Sequence, residues 1–214
     1  MRRGIEFWKK RWDELPSGKW DAAEASDLAA HAIWKRPDHA RIEQVVSRYR
    51  RVEEFITTEL LKLDLKPASL LDVGTGTGHW LSFFHRQFAL EFRDMLATDL
   101  VDEPLEFVSR RFAGVQTERI DLATDTLPEK VAQIGSAIGV LHHVTSEEAL
   151  RFALHSLGQA VELCFIFPVY ELPAPEPRHY KTYWTREQYL RACSNLVEVS
   201  ARGKCLLLRS TTDG

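Results

Sequence analysis

The segment Leu70-Leu71-Asp72-Val73-Gly74-Thr75-Gly76-Thr77-Gly78-His79-Trp80 constrains the fold more than any other part of the chain. An apolar run ends beside an acid, three alternating glycines follow, and an amphipathic helix pattern begins at once. A strand, a tight loop and a helix start, in that order, mark the ligand crevice of an open α/β sheet. Glycine has no Cβ, so a loop built this way lets backbone approach a ligand closely.

The glycine spacing separates the ligands such a loop can serve. A dinucleotide fingerprint reads G-x-G-x-x-G, and His79 stands where its third glycine belongs. A phosphate-cradling loop needs G-K-[ST], and this loop has no Lys. It reads D-x-G-x-G-x-G instead. Its acid, Asp72, disfavours a pyrophosphate and favours a cationic ligand.

The chain divides into a helical N-terminal extension, 1–66, and an α/β body, 67–214. Ile5, Trp8, Trp12 and Leu15 have helical spacing, and Pro16-Ser17-Gly18 stops that pattern. A second helix is predicted over 22–34, and a third over 38–63 with Ile42, Val45, Val46, Tyr49, Val52, Phe55, Ile56 and Leu60 as apolar positions. After Pro67 the elements alternate. Strands are predicted over 69–73, 94–98, 115–120, 136–140 and 161–167. Helices are predicted over 79–88, 104–112, 127–134, 145–157 and 185–193. Thr145 and Thr185 read as N-caps of capping boxes, with Glu148 and Gln188 three residues on. Segments 197–200 and 204–209 flank a turn at Arg202-Gly203 and read as an antiparallel hairpin. Such alternation gives a mainly parallel sheet with helices on both faces.

Composition narrows the function classes. A net charge of −3 argues against a general nucleic-acid binder. The first 51 residues nevertheless carry 12 Lys/Arg against 8 Asp/Glu, and the rest 16 against 23. We read that basic segment as a solvated helix face. Three cysteines without metal-ligand spacing fit a reducing compartment, with Cys164 and Cys205 as small core residues. No apolar run approaches membrane-spanning length, and the first residues lack a signal peptide's apolar stretch. The expectation is a cytoplasmic protein with no membrane partner.

Strand ends should carry the site. Asp99 closes the second strand, and a carboxylate there can accept hydrogen bonds from two vicinal hydroxyls. Asp121-Leu122 closes the third, with Asp125 as a competitor. The fourth reads Ala137-Ile138-Gly139-Val140-Leu141-His142-His143-Val144. In an extended chain the two His would point to opposite sides, so one would reach the site. A neutral imidazole there can take a proton from a hydroxyl or amine.

Together the D-x-G-x-G-x-G loop, Asp99 and the V-L-H-H stretch resemble the class I S-adenosylmethionine (SAM)-dependent methyltransferases, small-molecule type, over roughly residues 67–210. The resemblance implies a Rossmann-like, seven-stranded sheet whose last strand enters antiparallel beside the fifth. It implies SAM as cofactor, with Asp72, Gly74, Thr75, Gly76 and Gly78 around its methionine end. Asp99 and Leu100 would take the ribose, Asp121 and Leu122 the adenine, and the Val140 and Leu141 backbone the methionine part. Gln133 departs from the family's usual acid at the start of the fourth strand.

The Asn/Asp-Pro-Pro-Tyr/Phe and Pro-Cys motifs of flipped-base chemistry are missing, so a nucleic-acid acceptor is not expected. The tryptophan-rich start loosely resembles the N-terminal lid of small-molecule members. Trp20, beside a turn, is the better lid candidate, and Trp8 and Trp12 read equally well as tethers. The loop 168–184 gathers Tyr170, Arg178, His179, Tyr180, Lys181 and Tyr183. Its basic groups could hold an anion, and its tyrosines could bond a hydroxyl. The expected activity is methyl transfer to an O or N atom of a small molecule, with His143 or His142 as base and no metal, by a monomer or homodimer. The alternatives are an RNA or protein methyltransferase using the basic helices, or a non-catalytic SAM-binding partner. An NAD-dependent oxidoreductase is disfavoured by the loop.

Overall fold

The computed structural model describes residues 2–13, 39–172, 176 and 181–212. The predicted helix over 22–34 lies outside them. Helix α1 spans Arg2–Asp13 and α2 His39–Lys62. The body then runs β1 (Leu70–Val73), α3 (His79–Phe88), β2 (Met95–Asp99), α4 (Asp102–Arg111), β3 (Gln116–Arg119), β4 (Ala132–Ile138), α5 (Glu147–Ala160), β5 (Val161–Phe167), α6 (Arg186–Ala192), β6 (Leu196–Arg202) and β7 (Cys205–Ser210).

Among the described residues these strands form one sheet in the order β3-β2-β1-β4-β5-β7-β6. β1 to β5 run parallel, and β7 enters antiparallel between β5 and β6. This is the arrangement the resemblance implied. The order reverses between β1 and β4, which opens a crevice at the carboxyl ends of both.

Alternation along β1 shows how the two faces are covered. Leu70 packs into one core with Val52, Phe55, Ile56 and Leu60 of α2 and Leu81 and Phe84 of α3. Leu71 and Val73 pack into the other with Leu150, Leu154 and Leu157 of α5 and Tyr189 of α6. The apolar stripe of α2 therefore belongs to the core of the sheet. Cys164 and Cys205 are buried, and burial pushes the Cys205 thiol up to about 11, so both act as small apolar residues. No helix among the described residues is long and apolar enough to cross a membrane.

Two local expectations fail. Residues 127–134 form no helix, and β4 starts at Ala132 instead of 136. Lys130 adopts φ 50, outside the helical region, and its N–H bonds the Gln159 carbonyl at 2.9 Å. Ile134 is drawn between Leu70 of β1 and Leu163 of β5. Pairing on both sides overrides the local pattern. The cap of α5 is Ser146, not Thr145: the Ser146 hydroxyl accepts from Ala149 N at 3.2 Å. The Thr145 carbonyl instead accepts from the Thr182 hydroxyl at 3.4 Å. The Thr185 capping box forms as expected, with Gln188 bonding back.

Candidate functional site

The glycine loop turns because Gly74, Gly76 and Gly78 all take positive φ, at 69, 53 and 76. Two of them also answer to close neighbours. A Cβ on Gly74 would lie 2.7 Å from Val140 Cγ2, and one on Gly78 2.3 Å from Phe112 Cε2. The loop's amides are largely spent inside the protein. Gly74 N and Thr75 N both donate to the Thr98 carbonyl, at 2.8 and 2.9 Å. Gly76 N donates to Asp99 Oδ2 at 3.1 Å, and Gly78 N to the Thr75 carbonyl at 2.9 Å. A loop that cradles phosphate aims such amides at the ligand. Here four of them already have protein acceptors, so the loop is not a phosphate nest.

Asp72 lies wholly buried behind the loop, with Oδ2 accepting from the Thr75 hydroxyl at 2.8 Å. Burial pushes its carboxyl up to about 7, against the lowering effect of the Thr75 and Ser136 hydroxyls. Asp99, at the end of β2, is half-buried and faces the crevice. Its Oδ1 accepts from Leu100 N at 2.8 Å and more distantly from Val101 N at 3.4 Å. Desolvation pushes it up to about 6, opposed by these amides and that of Gly76. A carboxylate offers about four acceptor positions, so these three bonds leave one open, and the long Val101 bond can yield a second.

Above the carboxyl ends of the strands lies a cavity of about 1200 Å³. Gly74, Thr75, Gly76, Asp99, Leu100, Asp121, Leu122 and Val140 all line it, while Asp72 and Gly78 stand behind the loop. Asp121 holds a turn through its Oδ1, which accepts from Ala123 N at 3.0 Å. Asp125 accepts from Asp121 N at 2.9 Å and does not reach the cavity.

His142 and His143 both line this cavity. The expectation that only one could do so assumed extended backbone, but Leu141–His143 is a 3₁₀ turn. Their rings lie 4.0 Å apart. His142 is buried, and desolvation, then the charges of His143, Lys181 and Arg48, drive its pKa far below the ordinary imidazole value. It is held neutral, and its Nδ1 has no hydrogen-bond partner among the described residues. The segment after β5 is sewn onto this turn. Thr182 N donates to the His142 carbonyl at 2.8 Å, and Trp184 Nε1 to the Val144 carbonyl at 2.9 Å. Tyr170 and Tyr183 line the cavity edge-to-face, 4.9 Å apart. Trp20, Arg178, His179 and Tyr180 lie outside the described residues.

Sequence reasoning missed several lining residues. Trp8 and Trp12 of α1 both line the cavity, and the Trp8 ring meets His143 edge-on at 4.7 Å. Tyr49, read as an apolar position of α2, lines the cavity against His79. Its phenol is pushed up to about 12 by burial, so it stays a neutral hydroxyl. His79 Nε2 lies 3.0 Å from Glu53 Oε1, tying the loop's helix to α2.

The profile of the methyltransferase-domain family matches residues 45–193. A search of curated protein sequences finds no match. Solved structures share the fold at low identity. Streptomyces venezuelae DesVI superposes with a TM-score of 0.63 at 16% identity, over 82% of this chain and 99% of that one. CalS10, an amino pentose methyltransferase from Micromonospora echinaspora solved with SAM bound, gives 0.60 at 15%, over 82% and 99%. Magnesium protoporphyrin IX methyltransferase (ChlM) from Synechocystis PCC 6803, solved with bound SAH, gives 0.60 at 14%, over 98% and 97%. With residues 45–193 matched to its profile and the strand order just described, the chain belongs to the methyltransferase-domain family and is a class I SAM-dependent methyltransferase.

Proposed function

We propose that this enzyme methylates an O or N atom of a small-molecule acceptor. One observation carries the reading: a single cavity joins the acid at the end of β2 to the His142-His143 turn. At about 1200 Å³ it exceeds the roughly 300–1,000 Å³ typical of one small ligand, which leaves space for cofactor and acceptor side by side. An amino pentose and a porphyrin are acceptors of the two neighbours named for them, so the fold alone does not select the acceptor.

SAM supplies an electrophilic methyl on a sulfonium when bound. Asp99 would hold the ribose hydroxyls through its open acceptor position and the one the long Val101 bond can yield, with Leu100 beside it. Asp121 and Leu122 flank the adenine, and Val140 with the Gly74-Thr75-Gly76 backbone flanks the methionine part. Asp72 supports the loop from behind through Thr75. Helix α1 acts as a lid, with Trp8 and Trp12 excluding water over the acceptor. Alignment of the acceptor with the methyl carbon and exclusion of water supply most of the rate gain. His143 accepts the proton leaving the acceptor's hydroxyl or amine. His142, held neutral by burial, is the weaker base and shapes the wall.

Two results are expected. His143→Ala should lower methyl transfer about a hundredfold, the lower end for a general base, with S-adenosylhomocysteine affinity unchanged. An acceptor found by incubating the enzyme with methyl-labelled SAM and a panel of alcohols and amines provides the assay. Unchanged turnover in both His143→Ala and His142→Ala would remove the base. Second, Asp99 must be ionised to accept both hydroxyls. Its pKa stands near 6, so affinity is full above that pH and lost as the pH falls through it. The loss should approach about tenfold per pH unit, and Asp99→Asn should flatten it. Calorimetry between pH 5 and 8 reads this directly; an equally steep profile in Asp99→Asn would assign the titration elsewhere.

A further inference from the structure

The charges lining the cavity are sorted by position. Asp99 and Asp121 stand at the ends of β2 and β3, on one half of the sheet. Arg202 and Lys204 stand at the β6–β7 turn on the other half, and Lys181 in the segment after β5. β7 is four places from β2 in the sheet, about 19 Å at the usual strand spacing. Arg48 and Arg51 of α2 join the basic end. The charge of Arg48 is felt at both His142 and Tyr170, and that of Arg51 at Cys205, the first residue of β7. Glu54 is the one acid on the same stretch of α2 among the lining residues described.

These exposed cations are set apart by their place on the cavity wall; among the described residues Arg93, Arg191 and Arg209, far from it, also lack a carboxylate partner, while others are paired. Arg110, Arg151, Arg186 and Lys62 each pair with a carboxylate. Among the described residues, Arg48, Arg51, Arg202 and Lys204 have no carboxylate within ion-pairing distance. Aromatic rings position two of them, Lys204 and Arg202. The Lys204 ammonium lies 4.7 Å from the centre of the Tyr170 ring, and the Arg202 guanidinium 5.7 Å from that of Phe55. Arg202 and Lys204 are thus held at the cavity wall without a carboxylate partner among the described residues, while Arg51 Nε donates to the Ser47 carbonyl at 3.4 Å. Of the cofactor's groups only the methionine carboxylate is anionic, and one cation satisfies it, so the other cations of this end are left for a second anion.

We infer that the acceptor is an anion, whose phosphate or carboxylate group is bound by Arg48, Arg202 and Lys204 while its nucleophilic atom lies at the His142-His143 turn. This rests on the cavity being the methyl-transfer site. An arginine fork matches either anion with paired hydrogen bonds, and a lysine adds a point charge. The anion sets the acceptor's reach, so that only a molecule with its nucleophile at the right distance meets the methyl.

The test uses the full chain saturated with S-adenosylhomocysteine, which keeps probe anions out of the cofactor end. Inorganic pyrophosphate and citrate are titrated in separately by calorimetry at constant ionic strength. Wild type is compared with the Arg202→Gln/Lys204→Gln double variant. The expected result is saturable binding of at least one probe to wild type, weakened about tenfold or more in the double variant, with S-adenosylhomocysteine affinity unchanged. Stronger pyrophosphate binding identifies a phosphate acceptor, and stronger citrate binding a carboxylate. No binding of either probe to wild type, or equal binding to both proteins, would overturn the inference. Failure of S-adenosylhomocysteine to bind wild type would instead overturn the cofactor assignment on which it rests.

Discussion

Asp99→Ala should weaken S-adenosylhomocysteine binding about a hundredfold. The wild-type carboxylate has one acceptor position left after its bonds from Gly76, Leu100 and Val101, and the long Val101 bond can yield a second. Hydrogen bonds to a charged acceptor contribute about 1.5–3 kcal/mol each, and two of them account for at least that factor. The alanine also frees Gly76 N, which anchors the middle of the glycine loop. Asp99→Asn separates the two effects. It keeps one oxygen for the backbone amides while removing the charge and half of the acceptor capacity, so its loss should be intermediate. Calorimetry on the three proteins checks the order. Equal affinity in wild type and Asp99→Ala would remove Asp99 from the ribose site and place the cofactor's anchor elsewhere on the rim.

The second large effect concerns the fold and discriminates between two glycines that look alike in sequence. Gly78→Ala should cost about 2–5 kcal/mol. A left-handed conformation costs a non-glycine residue about 1–2 kcal/mol, and overpacking adds about 1–3 kcal/mol. The overpacking is specific: the new methyl would sit 2.3 Å from Phe112 Cε2 and 3.2 Å from two further ring atoms. Phe112 cannot swing aside freely, because it is buried and its ring packs, tilted, 5.1 Å from that of Phe92. Gly76→Ala should cost only about 1–2 kcal/mol, since its nearest non-neighbouring atom is the Gly74 carbonyl at 4.0 Å. Urea unfolding of both variants gives the comparison. Equal midpoints would mean that the loop relaxes away from α4 and that Gly78 is there for the turn alone.

How much of this was readable beforehand follows from how local each feature is. The glycine loop, β5 and the Thr185 capping box are written within a few residues, and each forms where its pattern stands. The parallel sheet followed from alternation and the antiparallel pair from the hairpin pattern, while the place of the last strand beside the fifth was implied by the family resemblance. β4 did not follow, because its first residues are strand only through pairing with β1 and β5, which are distant in sequence. The paired His were misjudged for a similar reason. A 3₁₀ turn after β4 rotates both into one cavity, and nothing in Val-Leu-His-His announces that turn. Arg48 and Arg51 were read as part of a solvated face. The amphipathic pattern of α2 shows which residues are buried in the core, but it does not show that the opposite edge borders a cavity whose far wall comes from β6 and β7. Trp8 and Trp12 raise the same difficulty, and only the packing of α1 near His143 distinguishes a cavity wall from a tether.

The claim on which the rest depends is that the cavity above β1, β2 and β4 receives SAM. Titration of SAM, S-adenosylhomocysteine and NAD into the purified protein by calorimetry tests it most directly. The loop amides already bonded to Thr98, Asp99 and Thr75 leave little for a pyrophosphate, and Asp99 offers a diol site. Saturable micromolar binding of SAM and S-adenosylhomocysteine, with NAD far weaker, is the predicted result. Absence of SAM binding, or tighter binding of NAD, would contradict the account at its centre.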